Sequence, residues 1–166
     1  MAETPELNTE RLSLEPLRVE HSDEMAAVLS SPVLYEFTGG HPPTPEELVA
    51  RYRLQIAGST RSGEQWHNWI ARNAATGEAV GFVQATVVDN SADVAWLIGL
   101  EHQRQGFGAE ATRAMIAWLE RQGIDRFSAH IHPRHRASSR LATAIGFGLT
   151  ESADDDGEEI WVRPPE

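Results

Sequence analysis

The sequence predicts a mixed α+β domain. Its core is a central, mostly antiparallel twisted sheet of about seven strands with about four helices, in the order β-α-α-β-β-β-α-β-α-β-β. Three observations carry this. Short segments alternate apolar and polar residues between turn residues, the pattern of half-buried strands. Two helices are marked by their own signals, one by a capping box and one by an apolar stripe. The helices also interrupt the strands irregularly, which rules out a strict βα alternation and its all-parallel sheet. The 166 residues suffice for one core, and neither repeats nor a low-complexity linker divide them, so residues 1–166 are read as a single domain.

The elements follow in order. "RLSLEPLR" (11–18) alternates and reads as a first strand, and "EHSDEMAAVLSS" (20–31) as a short amphipathic helix. "GGHPP" (39–43) is a break. In "TPEE", Thr44 is the N-cap, Pro45 the first helical residue and Glu47 the third residue of a capping box, opening a helix that runs to Ala57 and stops at Gly58. "WHNWIARNAATGEAVGFVQATVV" gives strands at 66–73 and 79–88 joined as a hairpin, and "DVAWLIGL" (93–100) another. The next helix places Phe107, Ala111, Ala114, Met115, Trp118 and Leu119 on one stripe and ends at Gly123. "RFSAHIH" (126–132) is a strand, "RASSRLATAIG" (136–146) a short helix, and "FGLTES" and "EIWVR" are strands flanking "ADDDGE".

Composition narrows the function. No apolar run reaches membrane-spanning length, and the polar, acidic N-terminus resembles neither a signal nor a transit peptide, so a cytoplasmic location is expected. The absence of cysteine excludes disulfides, thiolate metal sites and a cysteine nucleophile. All 14 basic residues are arginine, which excludes Schiff-base chemistry and a Walker-type lysine. A net charge of −11 argues against nucleic acid as a partner. It is compatible with steering of a cationic partner, or with solubility alone.

The chemistry-bearing stretch is "QRQGFGAEATRAMIAWLERQG" (103–123), where Gly106 and Gly108 flank the start of a helix. The first turn of a helix leaves N–H groups unpaired, and their partial positive charge favours an anion. Glycines allow the turn and admit close approach. Two phosphate motifs fit. "GFGAEA" matches G-x-G-x-x-A of dinucleotide-binding folds, with Asp125 further on. Its place late in the chain, and too little chain after it for a second nucleotide-binding half, argue against that reading. Gln103, Gly106 and Gly108 match the alternative, Q/R-x-x-G-x-G/A.

At this motif the sequence resembles the GNAT superfamily of N-acetyltransferases, most closely the RimJ/RimL-type branch. "TERLSLEPLR" resembles that family's opening strand and "GEAVGFVQA" its G-x-hydrophobic-G-hydrophobic strand pair. "AWLIGLEHQRQGFGAEA" resembles its pyrophosphate strand, loop and helix, and "HIHPRHRASSRLATAIGFGLTE" its segment ending in a Gly-Phe pair. These matches run over nearly the whole chain in the right order. The resemblance implies acetyl-CoA as acyl donor, with backbone N–H groups of Gln103, Arg104, Gln105, Gly106, Phe107, Gly108 and Ala109 cradling its pyrophosphate. Near Leu97, Ile98 and Gly99 the family's strand splays from its neighbour and offers an N–H to the thioester carbonyl, an oxyanion-hole arrangement. Gly99 would ease a bulge there.

Two positions depart from the family. His135 stands where the family often has Asn, which hydrogen-bonds pantetheine, and Ala142 where many members have Tyr as general acid. Ser138 matches the serine common in the RimJ/RimL branch and is assigned to the departing sulfur. Arg134, Arg136 and Arg140 add a local cationic island beside His135. The acceptor amine must lose a proton, so a base is needed. Candidates are Asp93, His67, His130, His132 and Glu151; no spacing selects among them, and Asp93 is carried forward with Ser138 as the catalytic pair. His130 and His132 share a strand face, but no third ligand is evident, so no metal is expected. By the resemblance, the acceptor enters past "YEFTGGHPP", Trp66, Trp69 and "ADDDGEE", whose carboxylates would suit a cationic small molecule or a protein N-terminus. A monomer or homodimer, without membrane partners, is expected. Two other readings stay open: a degenerate module that senses CoA without transferring acetyl, and, more distantly, a Rossmann-type oxidoreductase.

Overall fold

The computed structural model describes residues 3–165. Its strands are β1 (Leu7–Asn8), β2 (Leu12–Pro16), β3 (Glu64–Asn73), β4 (Ala79–Val88), β5 (Ser91–Ile98), β6 (Arg126–Ile131), β7 (Gly148–Ala153) and β8 (Glu159–Arg163). Its α-helices are α1 (Ser22–Val28), α2 (Pro45–Ala57), α3 (Phe107–Arg121) and α4 (Arg136–Ala144). All eight strands form one sheet in the order β1-β2-β3-β4-β5-β6-β8-β7. Every pairing is antiparallel except β5 with β6.

The element order holds, with four adjustments. The two-residue β1 raises the strand count to eight, because Leu7 and Asn8 fold back on Leu14 and Ser13. The helix expected over 20–31 is a 3-10 turn (Val19–His21) running into α1, which stops at Val28. The strand expected over 93–100 is shifted to Ser91–Ile98, because a 3-10 turn begins at Leu100. The bulge expected at Gly99 is absent: β4 and β5 stay in register from Val88↔Ser91 to Gly81↔Ile98. Gly99 instead admits the end of α1, since a Cβ there would lie 2.8 Å from Val28 Cγ1 and 2.9 Å from the Val28 carbonyl.

Each face of the sheet buries a core. Under α3 and α4, Val83, Ala85, Val94, Met115 and Leu119 pack with Trp69, Trp118 and Phe127. Met115 and Leu119 are wholly buried, as the α3 stripe requires, and each such side chain contributes about 2 kcal/mol of transfer free energy. Under α1 and α2, Met25, Leu29, Leu48 and Tyr52 cover Ile70, with Phe82 and Leu97 at the edge. The capping box holds α2 in place: Thr44 Oγ1 accepts the Glu47 N–H at 3.1 Å, and Glu47 Oε1 accepts the Thr44 N–H at 3.2 Å.

One topological feature positions the site. The parallel pair β5–β6 is joined only over Ser91–Asp93 and Arg126–Ser128. Beyond Asp93 the two strands part, and α3 and α4 begin at the mouth of the gap.

Candidate functional site

At the mouth of the gap, α3 starts from Gly106, in the left-handed region (φ 81°), with no side chain capping the helix. The N–H groups of Phe107, Gly108 and Ala109 therefore have no acceptor one turn earlier. Arg104, just before, is also left-handed (φ 64°), a conformation rare for a residue with a Cβ. A curled backbone with free N–H groups at a helix start fits an anion such as a pyrophosphate.

An arginine from the far end of the chain holds this loop. Arg11 Nη1 donates to the Gln105 carbonyl at 2.8 Å, and its Nε donates to Glu110 Oε1, also at 2.8 Å. Its guanidinium lies 4.6 Å from the centre of the Phe107 ring. Glu110, in the first turn of α3, also accepts from the Arg11 N–H and the Thr9 hydroxyl. These contacts outweigh the partial burial of Glu110 and hold its carboxyl below the usual range. Arg11 thus ties β2 to the loop and leaves positive charge beside it. Gly108 has a second role. A Cβ there would lie 2.7 Å from Leu141 of α4, so the glycine lets the two helices meet.

The edge of β5 facing the gap is unpaired after Asp93. The Gly99 N–H donates to the Val80 carbonyl at 2.8 Å, so it faces β4. Antiparallel alternation then turns the N–H groups of Trp96 and Ile98 toward the gap, while that of Leu97 faces β4. Gln103 closes the end of this edge, its side-chain amide donating to the Ile98 carbonyl at 2.9 Å.

On the other flank, His135 caps α4. Its Nδ1 accepts the Ser138 N–H at 3.4 Å, and its Nε2 lies 3.2 Å from Ser138 Oγ. With Nδ1 accepting, the proton sits on Nε2 and is donated to Ser138, whose own hydrogen is free to point elsewhere. Burial, then the neighbouring His132, hold His135 below the usual imidazole range, so it is neutral at pH 7. Phe37, between α1 and α2, stacks on His135 at 4.9 Å and meets His132 at a tilt, 5.1 Å between ring centres. An imidazole here does what a capping Asn would do. Arg134, Arg136 and Arg140 are exposed around it.

Where the strands part, carboxylates and an imidazole gather. His130 Nδ1 lies 2.8 Å from Asp154 Oδ2, and His130 Nε2 lies 3.6 Å from Asp93 Oδ1. Ser128 donates to the same Asp93 oxygen at 3.2 Å. Asp154 Oδ1 accepts the N–H groups of Asp156 and Glu158, each at 2.9 Å, so the turn between β7 and β8 aims it at His130. Burial opposes charge on His130, but the hydrogen bond to Asp154 and the Asp93 carboxylate prevail and raise its pKa. The Asp93 carboxyl is also raised, by partial burial and then by Asp154, against the pull of His130 and Ser128. Half of the Asp93 side chain is exposed (50%), so solvent screens part of this effect.

Several candidates fall elsewhere. His67 is 4% exposed and packed against Trp69 and Trp118 in the core, away from the gap. Glu151 is exposed on the edge strand β7. Trp69 is core, whereas Trp66 is half-buried with its indole bonded to Glu64. Ala142 is wholly buried. Arg11 and Glu110 were not singled out by the sequence, though Arg11 lies in "TERLSLEPLR", a strand that resembles the family's first; Phe37 lies in "YEFTGGHPP", expected beside the acceptor, but here it packs on His135.

Comparisons agree with this fold. The acetyltransferase (GNAT) domain profile matches residues 11–148. RimL, a ribosomal L7/L12 α-N-protein acetyltransferase solved with coenzyme A, superposes with a TM-score of 0.81 at 16% identity, over 97% of this chain and 98% of its own. A proposed ribosomal-protein-serine acetyltransferase of Vibrio cholerae gives 0.79 at 20% identity, over 98% and 100%. An acetyltransferase of Thermus thermophilus gives 0.78 at 22%, over 96% and 99%. A search of curated protein sequences finds no match. Among the described residues no helix is long and apolar enough to cross a membrane. A splayed parallel strand pair and an uncapped helix start, on a chain whose sequence matches the domain profile over residues 11–148, identify the protein as a member of the GNAT acetyltransferase family, whose fold uses acetyl-CoA.

Proposed function

We propose that the protein is an N-acetyltransferase moving acetyl from acetyl-CoA to a primary amine, of a protein N-terminus or a small molecule, by direct attack in a ternary complex. The observation that carries this is the opening between β5 and β6. It has amide donors at one end, from the Arg11-braced loop and the Ile98 edge, and the Asp93–His130–Asp154 cluster at the other. The loop N–H groups from Gln103 to Ala109 hold the pyrophosphate, with Arg11 and Arg104 supplying charge. Of the strand amides at 97–99, the one at Ile98 faces the gap and pairs with pantetheine, with Leu97 and Gly99 shaping its surroundings; the gap-facing N–H of Trp96, three residues from Asp93, is the donor for the thioester oxygen.

Acetyl-CoA supplies the thioester: a C–N bond forms to the acceptor nitrogen as the C–S bond breaks. Asp93 takes the proton of the incoming ammonium, and its raised pKa suits that role. His130, held by Asp154, positions Asp93 and tunes it. Ser138, accepting from His135 Nε2, has its hydrogen available for the departing sulfur. The carboxylates of Asp93 and Asp154 also attract a cationic amine to this end.

The test is CoA release from acetyl-CoA across a panel of amines and N-terminal peptides, followed with a thiol reagent. The chain has no cysteine, so it adds no background. Transfer that falls at least a hundredfold in Asp93→Asn supports the assignment. CoA binding with no turnover on any acceptor would make the protein a CoA sensor instead.

A further inference from the structure

Beside Asp93, part of the sheet lies beyond the cover of α1 and α2. Strand register puts Trp66, Thr86, Asp93 and Ser128 in one row, and Asn68, Gln84 and Ala95 in the next, all on one face. Only the third row, Ile70, Phe82 and Leu97, packs into the core under α1 and α2. Two adjoining depressions of about 480 and 270 Å³ open on this face, and Gln55, Asn68 and Gln84 line both. These three carboxamides are half-buried. Among the described residues, none of their side chains has a hydrogen-bond partner.

We propose that this strip is a peptide subsite. It binds main-chain amides of an acceptor whose terminal amine sits at Asp93, so the acceptor is a peptide N-terminus rather than a simple amine. The proposal rests on the transfer reading above. A carboxamide offers one acceptor and two N–H donors, the complement of a peptide unit. An alkyl chain laid across the strip would leave these groups dry and unpaired, which disfavours it. A polyamine needs a second anion, and the strip supplies none to spare. Glu64 at its rim is engaged by Trp66 Nε1 and Ser59 Oγ, each at 2.9 Å, and by Arg61. Arg51 and Arg61 border the depressions and repel a further cation. From β5 to β3 is two strand spacings, roughly 10 Å, which about three residues of extended chain would span.

The experiment compares kcat/KM for alaninamide, trialaninamide, hexylamine and a linear triamine. Each amide hydrogen bond gained is worth roughly fivefold, so trialaninamide should exceed alaninamide by roughly tenfold or more. In the double variant Asn68→Leu/Gln84→Leu that ratio should fall below about threefold, with CoA affinity retained as the check on folding. A variant that loses CoA affinity is replaced by Gln84→Met alone, read the same way. Hexylamine or the triamine matching trialaninamide, or a ratio unchanged in the variant, overturns the proposal. If no amine reacts, the transfer reading fails separately. The subsite is then read by saturation-transfer NMR of trialaninamide on the CoA complex. Contact abolished in the variant supports it, and no contact in the parent, or the same contact in both, overturns it.

Discussion

Replacing Arg11 with Ala tests whether the coenzyme loop is held in shape from outside itself. Three contacts would be lost: the ion pair to Glu110 and the bond to the Gln105 carbonyl, both at 2.8 Å, and the stack on Phe107 at 4.6 Å. Arg11 is 44% exposed and Glu110 21%, so the pair is screened and worth about 0.5 kcal/mol. The bond to the carbonyl adds about 1 kcal/mol and the exposed cation–π contact about 0.5 kcal/mol. The sum, about 2 kcal/mol, corresponds to roughly thirtyfold in the ordering equilibrium of the loop. The CoA dissociation constant, measured by titration calorimetry, should rise roughly tenfold to thirtyfold. KM for acetyl-CoA should rise with it, while kcat at saturation changes little. Arg11→Lys separates two mechanisms. If Arg11 acts by holding the loop, lysine fails almost as badly as alanine, because it lacks the fork that reaches Gln105 and Glu110 together. If Arg11 acts as a point charge near the phosphates, lysine restores binding. A folded Arg11→Ala protein that binds CoA within twofold of the parent would show that Arg11 does not hold the loop for the coenzyme.

Other outcomes follow from the same geometry. His130 lowers the pKa of Asp93, so His130→Gln should move the acid limb of the kcat/KM profile to higher pH; an opposite shift would remove Asp93 as the base. His21 is buried and held below the usual imidazole range, by burial and then by Arg18, despite Glu15. The stability it supports is full above about pH 6.5 and is lost as pH falls through its folded value. His130 is raised, so its contribution runs the other way: full below about pH 6.5 and lost as pH rises through its folded value. Urea midpoints at pH 7.5 and 5.5 should therefore show an acid loss that shrinks in His21→Gln, which keeps an acceptor for the Arg18 N–H. An unchanged pH slope in that variant counts against His21. Gly99→Ala should cost about 2 kcal/mol in urea unfolding, since its Cβ would press on Val28 at 2.8–2.9 Å; a cost near zero would show that α1 yields there.

What the sequence made legible is local. Thr44, Pro45 and Glu47 specify the start of α2 within four residues, and Gly58 and Gly123 lie just past the ends of α2 and α3 with positive φ. The stripe from Phe107 to Leu119 needs only the 3.6-residue repeat. The turn into α3 was legible for the same reason, being a contiguous run whose shape is set by its own backbone. The rest depends on residues that only the folded sheet brings together. Arg11 and Glu110 are 99 positions apart, and nothing in the intervening spacing couples them. Gly99 reads as strand flexibility until Val28 is seen against it.

The Asp93–His130–Asp154 cluster shows why composition misleads at such a place. "ADDDGEE" has the pattern of a solvated acidic turn, and Asp155 and Asp156 are exposed. Yet Asp154 commits one oxygen to two backbone amides and so aims the other at His130. The turn is thus a positioning device, and its acidity matters at one residue. His130 then reaches Asp93 because β6 and β5 are still close where their pairing ends at Asp93 and Ser128. The register that ends the pairing therefore also sets the distance between the Asp93 carboxylate and the His130 imidazole. A one-residue slip of β6 against β5 would turn His130 to the opposite face and leave Asp93 with its raised pKa and no partner. The parallel pair, three residues long, sets the spacing of Asp93 and His130 as well as the opening between the strands.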